Sequence, residues 1–135
     1  MVGFNVLHAG GKPPHMSQMD KYQRAAQLWS LLVLAARNQQ LLSYSTIEHL
    51  TGIPKVAVGG MLGTISHYCN NRKLPWLTAL VVNEETGLPG EGLIGSAKRK
   101  YGDTLDIFAM QSRVFIYDWF KEPAPKTEDF KRADS

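Results

Sequence analysis

The chain has 135 residues, 44% of them hydrophobic and 20% charged, enough for one domain with a real core and too apolar for a chain disordered throughout. Its net charge of +3 and pI of about 9.1 permit contact with nucleic acid or another anionic surface without requiring it. The single cysteine, Cys69, excludes an internal disulfide framework and has no zinc-binding spacing around it, so the cytoplasm is the expected compartment.

The stretch from Met1 to Met19 combines Gly10-Gly11, Pro13-Pro14 and two isolated histidines, His8 and His15. It lacks a basic region followed by an apolar run, so it does not read as a secretory signal, and residues 1–16 are expected as a mobile leader. A helix is predicted from Ser17, three residues before Asp20, because Tyr22, Ala25, Ala26, Trp29, Leu32, Val33 and Ala36 recur at helical spacing. The run Leu28 to Ala36 is apolar nearly all round, which predicts a central, buried helix. It falls well short of the ~18 consecutive apolar residues that a membrane span needs, so no membrane partner is expected.

A second start signal follows at Ser45, with Glu48 three residues on at capping-box spacing, and predicts a short helix through Leu50. Gly52 suits a helix C-cap, and Pro54 suits the opening of the next helix. That helix carries Val56, Val58, Met61, Leu62 and Ile65 at helical spacing, interrupted by Gly59, Gly60 and Gly63. Each glycine costs about 1 kcal/mol against alanine, which predicts close approach of another backbone, either a neighbouring helix or a nucleic-acid strand. His67 and Cys69 point in different directions on such a helix and form no ligand pair, so Cys69 reads as a small buried apolar residue. After Asn71-Arg72-Lys73, the apolar run Leu77 to Val82 reads as a strand, and Asn83-Glu84-Glu85-Thr86-Gly87 as the turn of a hairpin or wing. Helix, turn, helix, wing is the order of a winged helix-turn-helix, whose second helix lies in a groove when such a module binds DNA.

Several of these residues carry a resemblance. Tyr44, Gly52-Ile53-Pro54-Lys55, Ala57-Val58-Gly59-Gly60-Met61, Leu74-Pro75-Trp76 and Val81-Val82-Asn83 resemble the DNA-binding half of the O6-alkylguanine-DNA alkyltransferases, and more closely the alkyltransferase-like proteins. The likeness covers a little over a third of the chain. It implies that the second helix lies in the minor groove and that Tyr44 helps rotate a phosphate as a damaged base leaves the stack. The family's Pro-Cys-His-Arg acceptor motif is replaced here by Pro75-Trp76-Leu77-Thr78, so no thiol stands ready to accept an alkyl group. Tryptophan at this position resembles the alkyltransferase-like proteins, which bind alkylated guanine without repairing it. Thr78 stands where they typically keep an arginine, and the family's intercalating arginine is missing between Lys55 and Ala57.

The stretch from Leu88 to Gly102 contains Gly90-x-Gly92-x-x-Gly95, the spacing of a dinucleotide fingerprint without the strand-helix-strand unit around it, and reads as a flexible loop. The cluster Lys98-Arg99-Lys100 reads equally as phosphate contacts or as a solvated charge run. Asp103 or Thr104 then caps a helix with Leu105, Phe108, Ala109, Ser112, Phe115, Ile116 and Trp119 on one face, expected to pack on the first helix. Phe115, Tyr117, Trp119 and Phe120 read as core aromatics rather than base-stacking platforms. Pro123 and Pro125 break the chain, and residues 123–135 are expected as a mobile tail beyond a single domain of residues 17–122.

Glu84, Glu85, Glu91, Asp103 and Asp106 lie without the spaced histidines or lysine that acid–base or metal chemistry needs, and Ser43, Ser45 and His49 have no support as a triad. The sequence therefore predicts an α+β, mostly helical fold with a winged helix-turn-helix-like core, a long N-terminal helix and a C-terminal helix. It predicts no catalytic residue, no metal and no cofactor. The function expected is non-enzymatic binding of double-stranded DNA, with Tyr44, Lys55, Gly59, Gly60, Arg72, Lys73, Trp76, Lys98, Arg99 and Lys100 as contact residues. The alternative is a small protein-binding module, an inhibitor, immunity or assembly factor, whose glycine-rich helix and Trp76 form an apolar surface for an unknown protein.

Overall fold

The structure, a computed structural model, describes residues 20–135; the expected leader 1–16 and the proposed helix start at Ser17 lie outside the described residues. Asp20 caps the first helix, α1 (Lys21–Arg37), by accepting from the Gln23 amide while the Gln23 side chain accepts from the Asp20 amide. Its apolar run does what the periodicity predicts, burying Leu28, Trp29, Leu32, Val33 and Ala36 in the core.

After β1 (Leu42–Ser43) comes α2 (Tyr44–Thr51), whose N-cap is Ser43 rather than Ser45. Ser43 has the extended backbone of a cap and accepts from the Thr46 amide at 3.0 Å. Ser45 is left to donate its amide and hydroxyl to Glu84, at 3.0 and 2.8 Å. Gly52 takes the left-handed conformation at φ 76°, as expected of it, and Pro54 stands directly before α3 (Lys55–Asn71). That helix ends with the Leu74 amide donating to the Cys69 carbonyl and Lys73 donating to Asn70, a turn that holds Lys73 at φ 57°.

The segment expected as a strand from Leu77 is mostly a 3-10 turn, Leu77–Leu80, followed by the two-residue strand β2 (Val81–Val82). Every residue from Leu77 to Val82 is buried, so this run fills space between helices and has no open edge along which to grow a sheet. β2 pairs parallel with β1, Leu42 opposite Val81 and Ser43 opposite Val82, and Val82 makes one antiparallel bridge to Pro89.

Residues read as a flexible loop form α4 (Glu91–Tyr101). Leu93, Ile94, Ala97 and Tyr101 give it a helical apolar spacing with Ala97 fully buried, and of its neighbouring glycines only Gly102, which ends it, needs positive φ. A short 3-10 turn, Gly102–Thr104, precedes α5 (Ile107–Ile116), which is capped by Asp106 and not by Asp103 or Thr104. α5 touches α1 but packs more extensively on the Leu77–Leu80 turn. Its buried face is therefore Met110, Gln111 and Val114, while Phe108 and Ile116, assigned to the core by periodicity, are 73% and 81% exposed.

The tail is also part of the fold. Residues Thr127–Asp134 form α6, which packs against α1 and α3 through the fully buried Phe130, whose ring lies 5.9 Å from Trp29 and 5.3 Å from Tyr68. At its end Asp134 accepts from Thr64 Oγ1 and His67 Nδ1, both at 2.8 Å, and pairs with Lys21 at 3.2 Å. The result is mostly helical, with two minimal strands; among the described residues no helix is long and apolar enough to cross a membrane.

Two outcomes follow for α6. Phe130→Ala removes a fully buried aromatic and is expected to cost about 3–5 kcal/mol in chemical denaturation. Partial burial pushes the Asp134 carboxyl up, but His67, Thr64 and Lys21 outweigh it and hold it at about 2, against 3.8 ordinarily. A depressed carboxyl stabilises the fold fully above its unfolded value and loses that contribution as pH falls through its folded one. Asp134→Asn is therefore expected to lower the melting temperature near neutral pH, the gap from wild type closing as pH falls from about 4 to about 2.

Candidate functional site

Along α3, Gly59, Gly63, Ser66, His67 and Asn70 are spaced so that they share one face. Facing them on α4 are Gly92, Leu93, Ser96, Arg99 and Lys100, and between the helices lies a cleft of about 820 Å³. The buried side chains Leu62, Trp76, Thr78 and Val81 form its floor, where the Ser66 and Thr78 hydroxyls bond to each other at 2.6 Å.

Tyr44 marks one end. Its hydroxyl comes so close to Gly90 that a Cβ there would stand 2.5 Å away, which explains the glycine, and its partial burial raises the phenol above its ordinary value. At the other end Lys100 donates to Asn70 Oδ1, strapping α4 to α3, and its amine lies 5.5 Å from the centres of both the Trp76 and Tyr101 rings. Lys73, just past the end of α3, also lines the cleft.

Six of the ten predicted contact residues, Tyr44, Gly59, Lys73, Trp76, Arg99 and Lys100, meet at this cleft. Gly60 sits beside it on the exposed side of α3, and Lys98 is exposed on α4 outside the lining. Lys55 is 3.6 Å from Glu84, whose carboxyl is held below its usual range mainly by the Ser45 amide and hydroxyl. Arg72 turns away, its guanidinium over the Tyr68 ring and 3.3 Å from Glu122. Lys73, Lys98, Arg99 and Lys100 make no ion pair among the described residues.

Of the two close approaches expected at the glycines, that of a neighbouring helix is absent among the described residues. A Cβ at Gly59, Gly60 or Gly63 would meet nothing within 4 Å, so no neighbouring helix needs them and they leave an open face. Trp76 departs from expectation, since at 7% exposure it is part of the cleft floor and no external anchor for a protein partner. Its indole Nε1 is buried and has no hydrogen-bond partner among the described residues. Cys69 is fully buried and its thiol is pushed up to about 12, chiefly by burial, so it is neither thiolate nor accessible. Among the described residues no three His, Cys, Asp or Glu side chains converge as a metal site.

Ser66, His67 and Asn70 continue the spacing of Gly59 and Gly63, a signal the sequence carries. Gly92 and Ser96 were hidden by reading their segment as a loop. No family model matches the chain, and no curated protein or solved structure matches it.

Gly60→Ala tests the open face, because the added methyl finds free space in the middle of a helix. It is expected to stabilise the protein by about 0.5–1 kcal/mol in a denaturant titration; a loss of stability would mean that something packs on that face.

Proposed function

We propose that this is a non-enzymatic DNA-binding protein in which α2 and α3 act as a helix-turn-helix and the segment from Val82 to Pro89 as a short wing, in the manner of the alkyltransferase-like proteins. One observation carries the reading. α3 has 17 residues without a single acid, its glycine face is open, Arg99 and Lys100 line the cleft beside it, and neither they nor the exposed Lys98 has a carboxylate partner among the described residues. A bare helix face lets a nucleic-acid backbone approach closely, and each lysine or arginine that neutralises a phosphate releases counterions. Those contacts position the protein without reading sequence. Lys55 and Arg72 contribute less, because Glu84 and Glu122 already offset their charge. Trp76 in place of an acceptor cysteine, with Cys69 buried and protonated, favours binding over alkyl transfer.

The test is fluorescence anisotropy with labelled duplex DNA, with and without one O6-methylguanine, across a salt series. Affinity is expected to fall steeply with salt, and the Lys98→Ala/Arg99→Ala variant is expected to flatten the log–log slope by about 2. Preference for the lesion would support the alkyltransferase-like reading, and lesion-blind binding a general DNA-binding module. No binding even at low salt would overturn both and direct the search to protein partners.

A further inference from the structure

We propose that the cleft between α3 and α4 binds a free mononucleotide, its phosphate at the end marked by Trp76, Lys73, Arg99 and Lys100 and its base in the slot between the two glycine-bearing faces. This goes beyond DNA binding and does not depend on it.

Shape is the first support. Both walls are stripped of side chains, at Gly59 and Gly63 on α3 and at Gly92 on α4, and a Cβ at any of the three would meet nothing within 4 Å. Glycine inside a helix is destabilising, and no packing partner accounts for it here. What the glycines do is keep a slot open between two backbones, with Leu62 and Leu93 as its apolar surfaces, and the volume of about 820 Å³ lies in the range of small-molecule sites.

Charge decides the orientation. Lys73, Arg99 and Lys100 line the cleft toward the C-terminal ends of both helices and are unpaired with any carboxylate among the described residues. Glu91, the one acid in the lining, occupies the first turn of α4, where it already answers the helix dipole and repels an anion. Arg99 lies eight residues further along the same helix, about 12 Å away at 1.5 Å per residue. The full charges of the three cations outweigh the partial negative charge of the two helix C-termini, so a phosphate settles with them and the uncharged part of the ligand extends back toward Tyr44 and Gly90.

The indole of Trp76 is the independent observation. A buried N–H without an acceptor is unfavourable and calls for one. On ligand entry the indole tips toward the cleft until a phosphate oxygen at the basic end reaches the N–H, and Lys100, whose amine already stands over the same ring, turns to the same group. An open slot with apolar surfaces, three cations without a carboxylate partner among the described residues and an indole donor without an acceptor together match a nucleoside monophosphate.

Isothermal titration calorimetry on the full chain tests this with adenosine, guanosine and uridine 5′-monophosphates, with inorganic phosphate and adenosine as separate arms. At least one nucleotide is expected to bind saturably at one site, about tenfold or more tighter than phosphate or nucleoside alone. Trp76→Phe, which keeps an aromatic ring but removes the N–H, and Gly63→Leu, which fills the slot, are each expected to weaken binding about tenfold. Lys131→Ala, exposed on α6 and outside the lining, is expected to leave it unchanged, and Gly63→Ala provides a milder slot variant should the leucine disturb folding. No heat with millimolar nucleotide, phosphate binding as tightly as nucleotide, or equal binding by the wild type and both cleft variants would overturn the proposal. Nucleotide binding without DNA binding would remove only the DNA reading, and salt-sensitive DNA binding without nucleotide binding would remove only this one.

Discussion

The packing around Trp29 is the constraint on which the rest depends. Its ring meets Tyr68 edge-on at 5.5 Å and Trp119 at 5.6 Å, and lies 5.9 Å from Phe130, so one side chain of α1 ties down α3, the segment after α5, and α6. Edge-to-face aromatic contacts of this kind add directional preference to large apolar burial. With Tyr68 and Cys69 turned into this cluster, and Val58, Leu62 and Ile65 buried along the same helix, the rotation of α3 about its axis is set. Its opposite face, with Gly59, Gly60 and His67, can only point outward. The open side of the cleft is thus a consequence of where Trp29 sits.

Polar ties then hold the edges. Asp134 gathers Thr64, His67 and Lys21 from two helices onto the last turn of α6. Glu84 clips the Val82–Pro89 segment to the start of α2 through Ser45. Gln111 donates to the Ala79 carbonyl at 3.0 Å, which satisfies the backbone of a buried 3-10 turn that no sheet partner could reach. Without that turn the chain would not deliver Trp76 and Thr78 to the floor between α3 and α4.

Features that cost stability gather around the cleft. Three helical glycines lack a packing reason, Trp76 keeps a buried N–H unpartnered among the described residues, and Lys73 occupies a left-handed position that glycine would fill more cheaply. The last is not peculiar to the cleft, since Gln39 does the same after α1. The first two are, and local inconsistency of this kind is what functional sites impose on an otherwise self-consistent fold.

Much of the architecture was legible in the residues alone. The apolar run of α1, the left-handed Gly52, Pro54 before α3 and the burial of Cys69 follow from local propensity and hydrophobic period, which need no knowledge of neighbours. Six of ten candidate contact residues converge for a related reason, because basic and glycine-rich stretches announce themselves by composition. What the sequence could not decide was which of several local options tertiary packing would select. Ser43 outbid Ser45 as a cap because Glu84, 39 residues away, claims Ser45. The Leu77–Val82 run became mostly a 3-10 turn because it is enclosed between helices, and the charged tail became a helix because Phe130 completes the Trp29 cluster. Periodicity determined that α3 is a helix; only the core behind it decided that its glycines face open space.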